Sequence, residues 1–553
     1  MLTQYKKSTQ QNHQFLITNE RLEKRIIPKK CANHHIKNLS TPSCHSIQLV
    51  FNIIPTILTQ TKKPSCQKKK FVELLRVYLG ECVFPMLITL IAIFISFILA
   101  LGYVSSRRVR TSQDFISANR SLNTYLLTPI IVCSWIGGGS LLGAPAIFLE
   151  KGISGVIGDP FGTTLCMWLV AFFLGKTIYR KKVTTLGEYF RNRFGPQIEQ
   201  LLSLAIVLSY LGWSVSVLHA TQIILQLLTN QWLTHKSASA LAGVAIILYT
   251  IFGGMWSAAA TNYLITIVVF SGLFTVFHSV SHPIGGVIPL ISIAIDQGQF
   301  KLFPDTSLKA LLTQFSALAI MTLGLIPQQD LLQRINSARN EKTIFLSHIF
   351  GGILYFVISM VPILTAYAIK ISHPDIADYW IKKDPQFILP MYILNYSSLL
   401  VKVCFFGALF SSLLTSGSTS ILAPSVSIVE NIILPFKKLK DKQVLFLSRV
   451  LIVAFVFTVT VVNIVSTKSI YQQILNAYSI TLVVVLVPMI SGLYWEKANM
   501  MGVIISIIVG VTSWIASWYV PSILPGVLIG LIGSAAGMVV GSMLCRKSSL
   551  YNA

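Results

Sequence analysis

Long apolar runs, many of them near 20 residues, alternate along most of this chain with short polar loops. A helix needs about 20 consecutive apolar residues to cross the hydrocarbon core of a bilayer. The pattern therefore predicts an all-α integral membrane protein with about thirteen transmembrane helices. The predicted spans are 84–104, 123–145, 157–178, 197–227, 236–254, 257–280, 309–328, 343–371, 396–424, 446–466, 470–495, 499–520 and 523–544.

Residues 1–82 do not follow this pattern. They are rich in Lys, Gln, Asn and Thr, and their apolar patch 47–58 is too short to span a bilayer. We expect this basic segment to be disordered, or to lie upstream of the true start, since Met86 opens the first span. The domains expected after it are a first helix and loop (83–122), a transport core (123–495), and two additional helices with a short tail (496–553).

Composition and charge agree with a membrane protein. Charged residues make up only 11% of the chain, against about 25% in soluble proteins. The net charge is +25; outside the basic segment 1–82, the Lys and Arg residues lie in clusters between the spans, which are typical of cytoplasmic loops and not of a nucleic-acid-binding face. The positive-inside rule then predicts an outside N-terminus and a cytoplasmic C-terminus. The eight cysteines form no CxxC pair, so neither a disulfide framework nor a zinc site is indicated.

Three successive glycines, Gly137, Gly138 and Gly139, interrupt the second predicted span. Glycine is a poor helix former, so we expect the helix to open there and expose backbone carbonyls. Open backbone at membrane depth is tolerated where it lines a cavity, and broken helices hold substrate and ion in secondary transporters. The alternative interpretation is close packing of two helices through small residues.

A hydroxyl-rich run, 411–420, lies in the ninth predicted span and contains Thr415 and Ser416. Sodium is a hard cation that takes oxygen ligands, by the logic that governs Ca²⁺ and Mg²⁺. Adjacent hydroxyls, together with carbonyls from an opened helix, would form a neutral sodium site. The alternative is that these hydroxyls bond back to their own helix or serve as small packing residues.

Enzyme motifs do not stand out in this sequence. It contains no HExxH, no phosphate-binding loop with Lys and no GxSxG on a strand-turn-helix. We therefore expect no enzymatic activity and no cofactor beyond a coupling ion. Charged residues within spans are functional candidates by default, but Asp159 precedes Pro160 near the end of a span, where we expect it to cap a helix.

Several short motifs occur in one order over residues 100–430. They are Ser134-Trp-Ile-Gly-Gly-Gly139, Gly187-Glu-Tyr-Phe190 with Arg193-Phe-Gly195, Gly253-Gly-Met-Trp-Ser257, Ile326-Pro-Gln-Gln329 with Gln333-Arg334, and Ala423-Pro-Ser-Val426. In these motifs the chain resembles the sodium:solute symporter family, on the branch of the high-affinity choline transporters. The resemblance implies the leucine-transporter fold, with inverted five-helix repeats over 123–280 and 309–495.

The resemblance also implies a set of sodium ligands. The matching positions are the carbonyls of Cys133, Ile136 and Ser412 and the hydroxyls of Thr415 and Ser416. This set includes the two hydroxyls and the broken span already singled out from the residues themselves. Family members usually carry Thr-Asp after the Gly-Gly turn, where this chain has Thr261-Asn262. The carboxylate of a second sodium site is therefore missing.

The choline branch holds a quaternary ammonium in an aromatic cage through cation–π contacts. Trp135 and Trp213 match two cage positions, whereas Thr163 and Gln328 place polar side chains at two others. We therefore expect Trp135, Trp213 and Gln328 to contact a small polar or zwitterionic solute, with the amides of Gly137–Gly139 available to a carboxylate. Lipid contact or core packing is the alternative role for the two tryptophans.

Together these observations predict a Na⁺-coupled symporter that imports a small organic solute by alternating access. Its expected partners are that solute, sodium ions and the lipid bilayer, with no nucleic acid. Short loops and a short tail favour a bacterial plasma membrane. A transporter-like solute sensor, and a proton-coupled or uncoupled carrier on the same fold, remain alternatives.

Overall fold

The computed structural model describes residues 86–94, 96–98, 100, 104, 120–229, 232–252, 255–303, 305–437 and 441–544. All of them fall within one compact unit that covers Cys82–Ala553. The basic segment 1–82, which we expect to be disordered, lies outside the described residues. Helices dominate the described part, where the only bridge between extended residues is an isolated parallel one from Leu122 to Ala338.

The first part of the unit begins with helical residues at 86–94 and 96–98. The helices that follow are α1 (Thr124–Trp135), α2 (Ala144–Lys151), α3 (Thr163–Leu169), α4 (Gly175–Lys181), α5 (Leu186–Phe194), α6 (Pro196–Leu228), α7 (His235–Phe252), α8 (Met255–Ser281) and α9 (Val287–Asp296). Short π-helical or 3₁₀-helical turns join α1 to α4, at Gly139–Gly143, Gly152–Val156, Ile157–Gly162 and Val170–Leu174.

The second part continues the helical pattern. Its helices are α10 (Leu308–Leu323), α11 (Gln329–Ser337), α12 (Glu341–Ser372), α13 (Pro374–Lys383), α14 (Ile388–Tyr396), α15 (Leu399–Ser427), α16 (Asp441–Val465), α17 (Ile470–Val484), α18 (Leu486–Tyr494), α19 (Met500–Ala516) and α20 (Gly526–Leu544). A π-helical turn, Ile428–Ile433, extends α15.

Long apolar helices confirm the membrane character of the chain. In the described residues, 7 helices are long and apolar enough to cross a bilayer, or up to 8 if the bent pair α17 and α18 forms one span. Every predicted span contains helical residues, but several of these helices are short or broken. The total of thirteen spans stays a prediction.

Five helices lie where no span was predicted: α5, α9, α11, α13 and α14. Three of them have ordinary start signals, because Pro289 lies in the first turn of α9, Pro374 begins α13, and Asp330 lies in the first turn of α11. Each of the five has only 9 or 10 residues, too few to cross a bilayer. A search for runs of about 20 apolar residues therefore passes over them.

The broken segment, α1 to α2 (residues 124–151), lies inside the bundle. Helices α8, α12 and α15 all pack against α1. The long helix α6 packs against both α15 and α17. The residues from Leu127 to Ser134 that face these helices are mostly buried, as are Gly137, Gly138 and Gly139. The opened backbone is therefore enclosed by protein.

Candidate functional site

The predicted helix break is present at the glycine run. Helix α1 ends at Trp135, and its C-cap residue Ile136 is extended, with φ −72° and ψ 114°. The helix resumes around Gly138 and runs through a π-helical turn into α2. Because Ile136 leaves the helical conformation, the carbonyls at the end of α1 lose their partners four residues further along. These carbonyls are the groups that the sequence predicted to become available.

Hydroxyls of α15 meet those carbonyls directly. Ser412 Oγ donates to the carbonyl of Ile136 at 2.6 Å. Ser416 Oγ lies 3.3 Å from the carbonyls of both Ser134 and Ile136. All four residues are buried. We call this cluster of neutral oxygens, built from Ser134, Ile136, Ser412 and Ser416, the oxygen junction.

Two of the predicted sodium ligands make other contacts. Thr415 Oγ1 donates to the carbonyl of Ser411, one turn back on its own helix, at 3.0 Å, and lies 3.1 Å from the hydroxyl of Tyr249. The Cys133 thiol has the hydroxyls of Thr266 and Ser412 as hydrogen-bond neighbours. Both residues are buried beside the junction. Their role as sodium ligands stays a prediction, as do the carbonyl roles of Cys133 and Ser412.

The chemistry of the oxygen junction suits sodium. Its groups are uncharged carbonyl and hydroxyl oxygens, the ligand type that hard cations take. Ser411 Oγ, one position before Ser412, is buried and makes no hydrogen bond in the described part of the chain. Consecutive residues of a helix do not face each other, so this hydroxyl is not part of the oxygen junction.

A cavity of about 440 Å³ adjoins the oxygen junction. Its lining includes five of the predicted substrate-contacting residues together with one residue of the junction: Trp135, Gly137, Gly138, Gly139, Trp213 and Ser416. The structure therefore brings most of the predicted substrate positions together around one space, next to the predicted ion site.

Gln328 is the exception among the predicted substrate positions. It is buried and is not among the residues that line the cavity, and its Nε2 donates to Ser209 Oγ at 3.0 Å and to Thr481 Oγ1 at 3.4 Å. The side chain therefore ties α6 to α17 where α11 begins. Its contact with a solute stays a prediction without support from this geometry.

The glycine run is shaped by close neighbours. A Cβ on Gly138 would overlap the Cβ of Ala220, and a Cβ on Gly139 would lie 2.5 Å from Cδ1 of Ile474. The amide of Gly137 donates to Ser140 Oγ at 3.2 Å. Gly138 and Gly139 open the continuing helix, where first-turn amides have no carbonyl within the helix to bond. Those amides are the ones that remain for an anionic group.

Asp159 is not the helix cap that the sequence suggested. Its backbone is non-helical, with φ −135° and ψ 118°, in a π-helical turn that precedes α3. Its side chain is 4% exposed and lines the cavity. Oδ1 accepts hydrogen bonds from the Tyr355 hydroxyl at 2.7 Å and from Thr163 Oγ1 at 3.0 Å. Thr163, at one of the polar cage positions, thus orients a carboxylate.

A buried ion pair that sequence reasoning missed lies on the other side of Trp135. Arg334 Nη1 is 3.3 Å from Asp330 Oδ2, and both side chains are nearly inaccessible. Asp330 also accepts from Trp135 Nε1 at 3.0 Å and from the Tyr210 hydroxyl at 2.7 Å. The available signal was an Asp and an Arg four residues apart on a short helix.

This ion pair is connected to the oxygen junction. Arg334 Nε donates to Ser134 Oγ at 2.9 Å, and the carbonyl of Ser134 accepts from Ser416. Helix α11 therefore holds the end of α1 through both Trp135 and Ser134. Sequence reasoning had used Arg334 as part of a family motif and as part of a positive cluster between spans. Its contact with the broken segment joins residues 200 positions apart.

The sequence was compared with models of known protein families. The model of the sodium:solute symporter family matches residues 115–510. This chain belongs to that family. The matched range contains the broken segment, the oxygen junction, the cavity and α11, so family membership covers every part of the candidate site. Membership places the chain among membrane transporters and not among enzymes.

Several relatives share this family at low identity. The high-affinity choline transporter 1 of Torpedo marmorata is 23% identical over 389 residues, which cover 67% of this chain and 65% of that protein. The human choline transporter is 22% identical over 435 residues, 75% of this chain and 73% of that protein. The high-affinity proline transporter PutP of Bacillus subtilis is 24% identical over 387 residues, 64% of this chain and 76% of that protein. This chain thus spans just under two thirds of the Torpedo protein.

Solved structures show the fold. A Na⁺-coupled sialic acid symporter in an outward-open state superposes with a TM-score of 0.71 at 18% identity, over 83% of this chain and 97% of that one. Mhp1, a nucleobase-cation-symport-1 family transporter, superposes with a TM-score of 0.51 at 12% identity, over 78% of this chain and 94% of that one. The predicted leucine-transporter fold with inverted repeats is confirmed, whereas the repeat boundaries stay predictions.

Proposed function

We propose that this protein is a Na⁺-coupled secondary active symporter that imports a small organic solute by alternating access. The observation that carries the proposal is the oxygen junction, where Ser412 and Ser416 meet the carbonyls of Ser134 and Ile136. Opened backbone and hydroxyls at the centre of a helical bundle form the type of ion site that secondary transporters use. Family membership supports the same coupling ion.

The proposed sodium ligands are the oxygens predicted at Cys133, Ile136, Ser412, Thr415 and Ser416. Ser416 supports their coupling to a solute, because it belongs to the oxygen junction and also lines the cavity. An ion that orders Ser416 and the opened α1 would also order part of the solute site. By thermodynamic linkage, sodium then raises the affinity for solute, and solute raises the affinity for sodium by the same factor.

The proposed solute is small and polar or zwitterionic. The cavity combines the aromatic faces of Trp135 and Trp213 with hydroxyls and with the glycine amides. A carboxylate would bind the first-turn amides of Gly138 and Gly139, since helix N-termini favour anions. The relatives are transporters named for choline and for proline, both of which are small and carry a charged nitrogen.

The proposed placement follows the sequence predictions. The protein spans a plasma membrane several times, with its N-terminus outside and its C-terminus in the cytoplasm, and residues 123–495 form the transport core. The positive clusters after α4 and around α11 and Lys437 support this orientation, because they would share the cytoplasmic side.

The test is radiolabelled uptake by the purified protein in proteoliposomes, with and without an inward Na⁺ gradient. The panel contains amino acids, betaines, choline, monocarboxylates and sugars. We expect at least one solute to accumulate only with the gradient. Uptake driven by a proton gradient in place of the sodium gradient would instead identify a proton-coupled carrier. Solute binding without uptake would identify a sensor.

A pair of variants ties the test to the oxygen junction. We expect Ser416→Ala to raise the sodium concentration for half-maximal uptake by about tenfold or more, because a ligand oxygen is lost. The matched control is Ser425→Ala on the same helix, since Ser425 Oγ donates to the carbonyl of Ile421 on its own helix. Equal sodium dependence of both variants and the native protein would remove the junction as the ion site.

A further inference from the structure

Three acidic side chains are buried in the described part of the chain: Asp159, Glu199 and Asp330. Glu199 has Arg191 as its cation, with Nη1 3.7 Å from Oε1. Asp330 pairs with Arg334 at 3.3 Å. Asp159 has no Lys, Arg or His within ion-pair distance among the described residues. It is therefore a buried carboxylate whose counter-charge the described residues do not supply.

Two hydroxyl groups fix the position of the Asp159 carboxyl group. The Tyr355 hydroxyl and Thr163 Oγ1 both donate to the same oxygen, Oδ1. Hydrogen bonds donated to a carboxylate stabilise its charge. The two donors come from α12 and α3, so hydrogen bonds from two helices fix the position of the carboxylate. The second oxygen, Oδ2, receives neither of these two hydrogen bonds.

The cavity lacks any other charge. Among the residues that line it in the described part of the chain, Asp159 alone is charged, and Lys, Arg and His are absent. The remaining lining includes the rings of Trp135, Trp213 and Tyr478. Aromatic faces attract cations through their quadrupoles. One carboxylate and several aromatic rings around one space form a site selective for a positive group.

We propose that Asp159 binds an ammonium group of the transported solute, so that the substrates are amines or amino-acid-like zwitterions. A buried charge is stable only when it is paired, and the solute supplies the missing partner. For a zwitterion, the glycine amides would take the carboxylate and Asp159 the amine. The inference rests on the proposed function, because it assigns the solute class of that same cavity.

A second sodium ion is the competing occupant of Asp159. The two possible occupants, ammonium and sodium, predict different effects of removing the Asp159 charge. If Asp159 binds ammonium, its charge decides which solutes are accepted and leaves sodium dependence in place. If it binds sodium, its charge decides sodium cooperativity and affects charged and uncharged solutes alike.

The experiment is Na⁺-driven uptake of matched pairs by the full-length protein in proteoliposomes. The pairs are L-alanine with L-lactate, choline with 3,3-dimethyl-1-butanol, and ethanolamine with ethylene glycol; D-glucose and myo-inositol complete the panel. Within each pair the ammonium is replaced by an uncharged group of similar size. We expect the best solute to carry an ammonium and to exceed its partner by at least about tenfold, as a charge-assisted contact does.

Variants place that preference at Asp159. Asp159→Asn keeps an oxygen that accepts from Tyr355 and Thr163 but removes the negative charge. We expect this variant to lose the preference for ammonium solutes. The control is Asp378→Asn, which removes the same charge from an exposed residue of α13 and should keep the preference. Sodium-induced thermal stabilisation of Asp159→Asn should persist, which shows that the variant is folded and still binds the coupling ion.

The outcomes separate this inference from the proposed function. Na⁺-driven uptake that is best for neutral or anionic solutes would overturn the ammonium site alone, whether or not Asp159→Asn folds. The ammonium site would also be overturned if Asp159→Asn lowers the cooperativity of sodium and lowers the uptake of both solutes of each pair equally. If no solute in either panel shows Na⁺-driven uptake, the proposed function fails instead.

Discussion

Glycine and serine have opposite roles in two regions of this molecule. At the oxygen junction, Gly137–Gly139 interrupt a helix, and Ser412 and Ser416 reach its open carbonyls. In the C-terminal pair of α19 and α20, the same residue types pack two unbroken helices. There Ser506 Oγ lies 2.8 Å from the carbonyl and from Oγ of Ser534.

The difference shows that residue type alone does not identify a site. Small residues let helices approach closely whenever the helical hydrogen bonds stay intact, as they do in α19 and α20. The same residues form an ion site only where the backbone opens and its carbonyls lose their partners. Continuity of the backbone separates the two roles, and the following variants test that distinction.

The largest effect is expected at Arg334, which supports the opened segment from outside. Arg334→Met leaves Asp330 as an unpaired buried charge and removes the hydrogen bond to Ser134. Breaking a buried pair costs about 3–5 kcal/mol, so we expect a clearly lower melting temperature in detergent. Asp330→Asn combined with Arg334→Met should recover part of that loss.

Ser506→Ala is the corresponding change in the C-terminal pair. It removes one buried hydrogen bond and should cost only about 1 kcal/mol. If Arg334→Met and Ser506→Ala have equal melting temperatures, the contacts of Arg334 do not stabilise the opened segment more than Ser506 stabilises the α19–α20 pair. That result would contradict this prediction.

Glycine substitutions give the next largest effect and compare the two regions directly. In Gly138→Ala the new methyl would overlap Ala220, and in Gly537→Ala it would lie 2.8 Å from the carbonyl of Ile505. Each overpacked methyl costs about 1–3 kcal/mol. We expect Gly138→Ala to lower solute uptake per folded molecule, because the cavity wall moves. Gly537→Ala should lower the melting temperature and leave the sodium dependence of uptake unchanged.

The smallest effect is expected at Thr415, beside the oxygen junction. Thr415 bonds back to Ser411 and contacts Tyr249, whereas Ser416 touches the opened segment. Sodium titration of uptake should therefore show a smaller loss of sodium affinity for Thr415→Ala than for Ser416→Ala. A larger loss in Thr415→Ala would mean that its hydroxyl turns away from Ser411 when sodium binds.

Much of the fold was predictable because membrane helices obey a simple length rule. The spans around α6, α12 and α15 stand out as long apolar runs, and the break at Gly137–Gly139 follows from helix propensity. The short helices α5, α9, α11, α13 and α14 did not stand out, because elements of about 10 residues carry no span signal. Their positions depend on packing against neighbours distant in sequence.

The site was predictable only in part. Ser412 and Ser416 were identified, and the structure places them on the opened carbonyl of Ile136. Asp159 was misread because its neighbour Pro160 suggested a cap, whereas Tyr355, 196 positions away, decides where the carboxylate lies. Gln328 was expected to contact solute, and this stays a prediction; its Nε2 donates to Ser209 and Thr481, partners that the sequence did not indicate.

By itself, the sequence determined the membrane character, the position of the helix break and the presence of a hydroxyl-rich span, because these depend on local propensity and on apolar run length. Only the tertiary structure decided which buried charges are paired. Arg334 meets Asp330 and Ser134, while Asp159 meets hydroxyls and a cavity. Spacing along one helix can suggest the Asp330–Arg334 pair. The contacts of Arg334 with Ser134 and of Asp159 with Tyr355 join residues about 200 positions apart, and no local pattern encodes those distances.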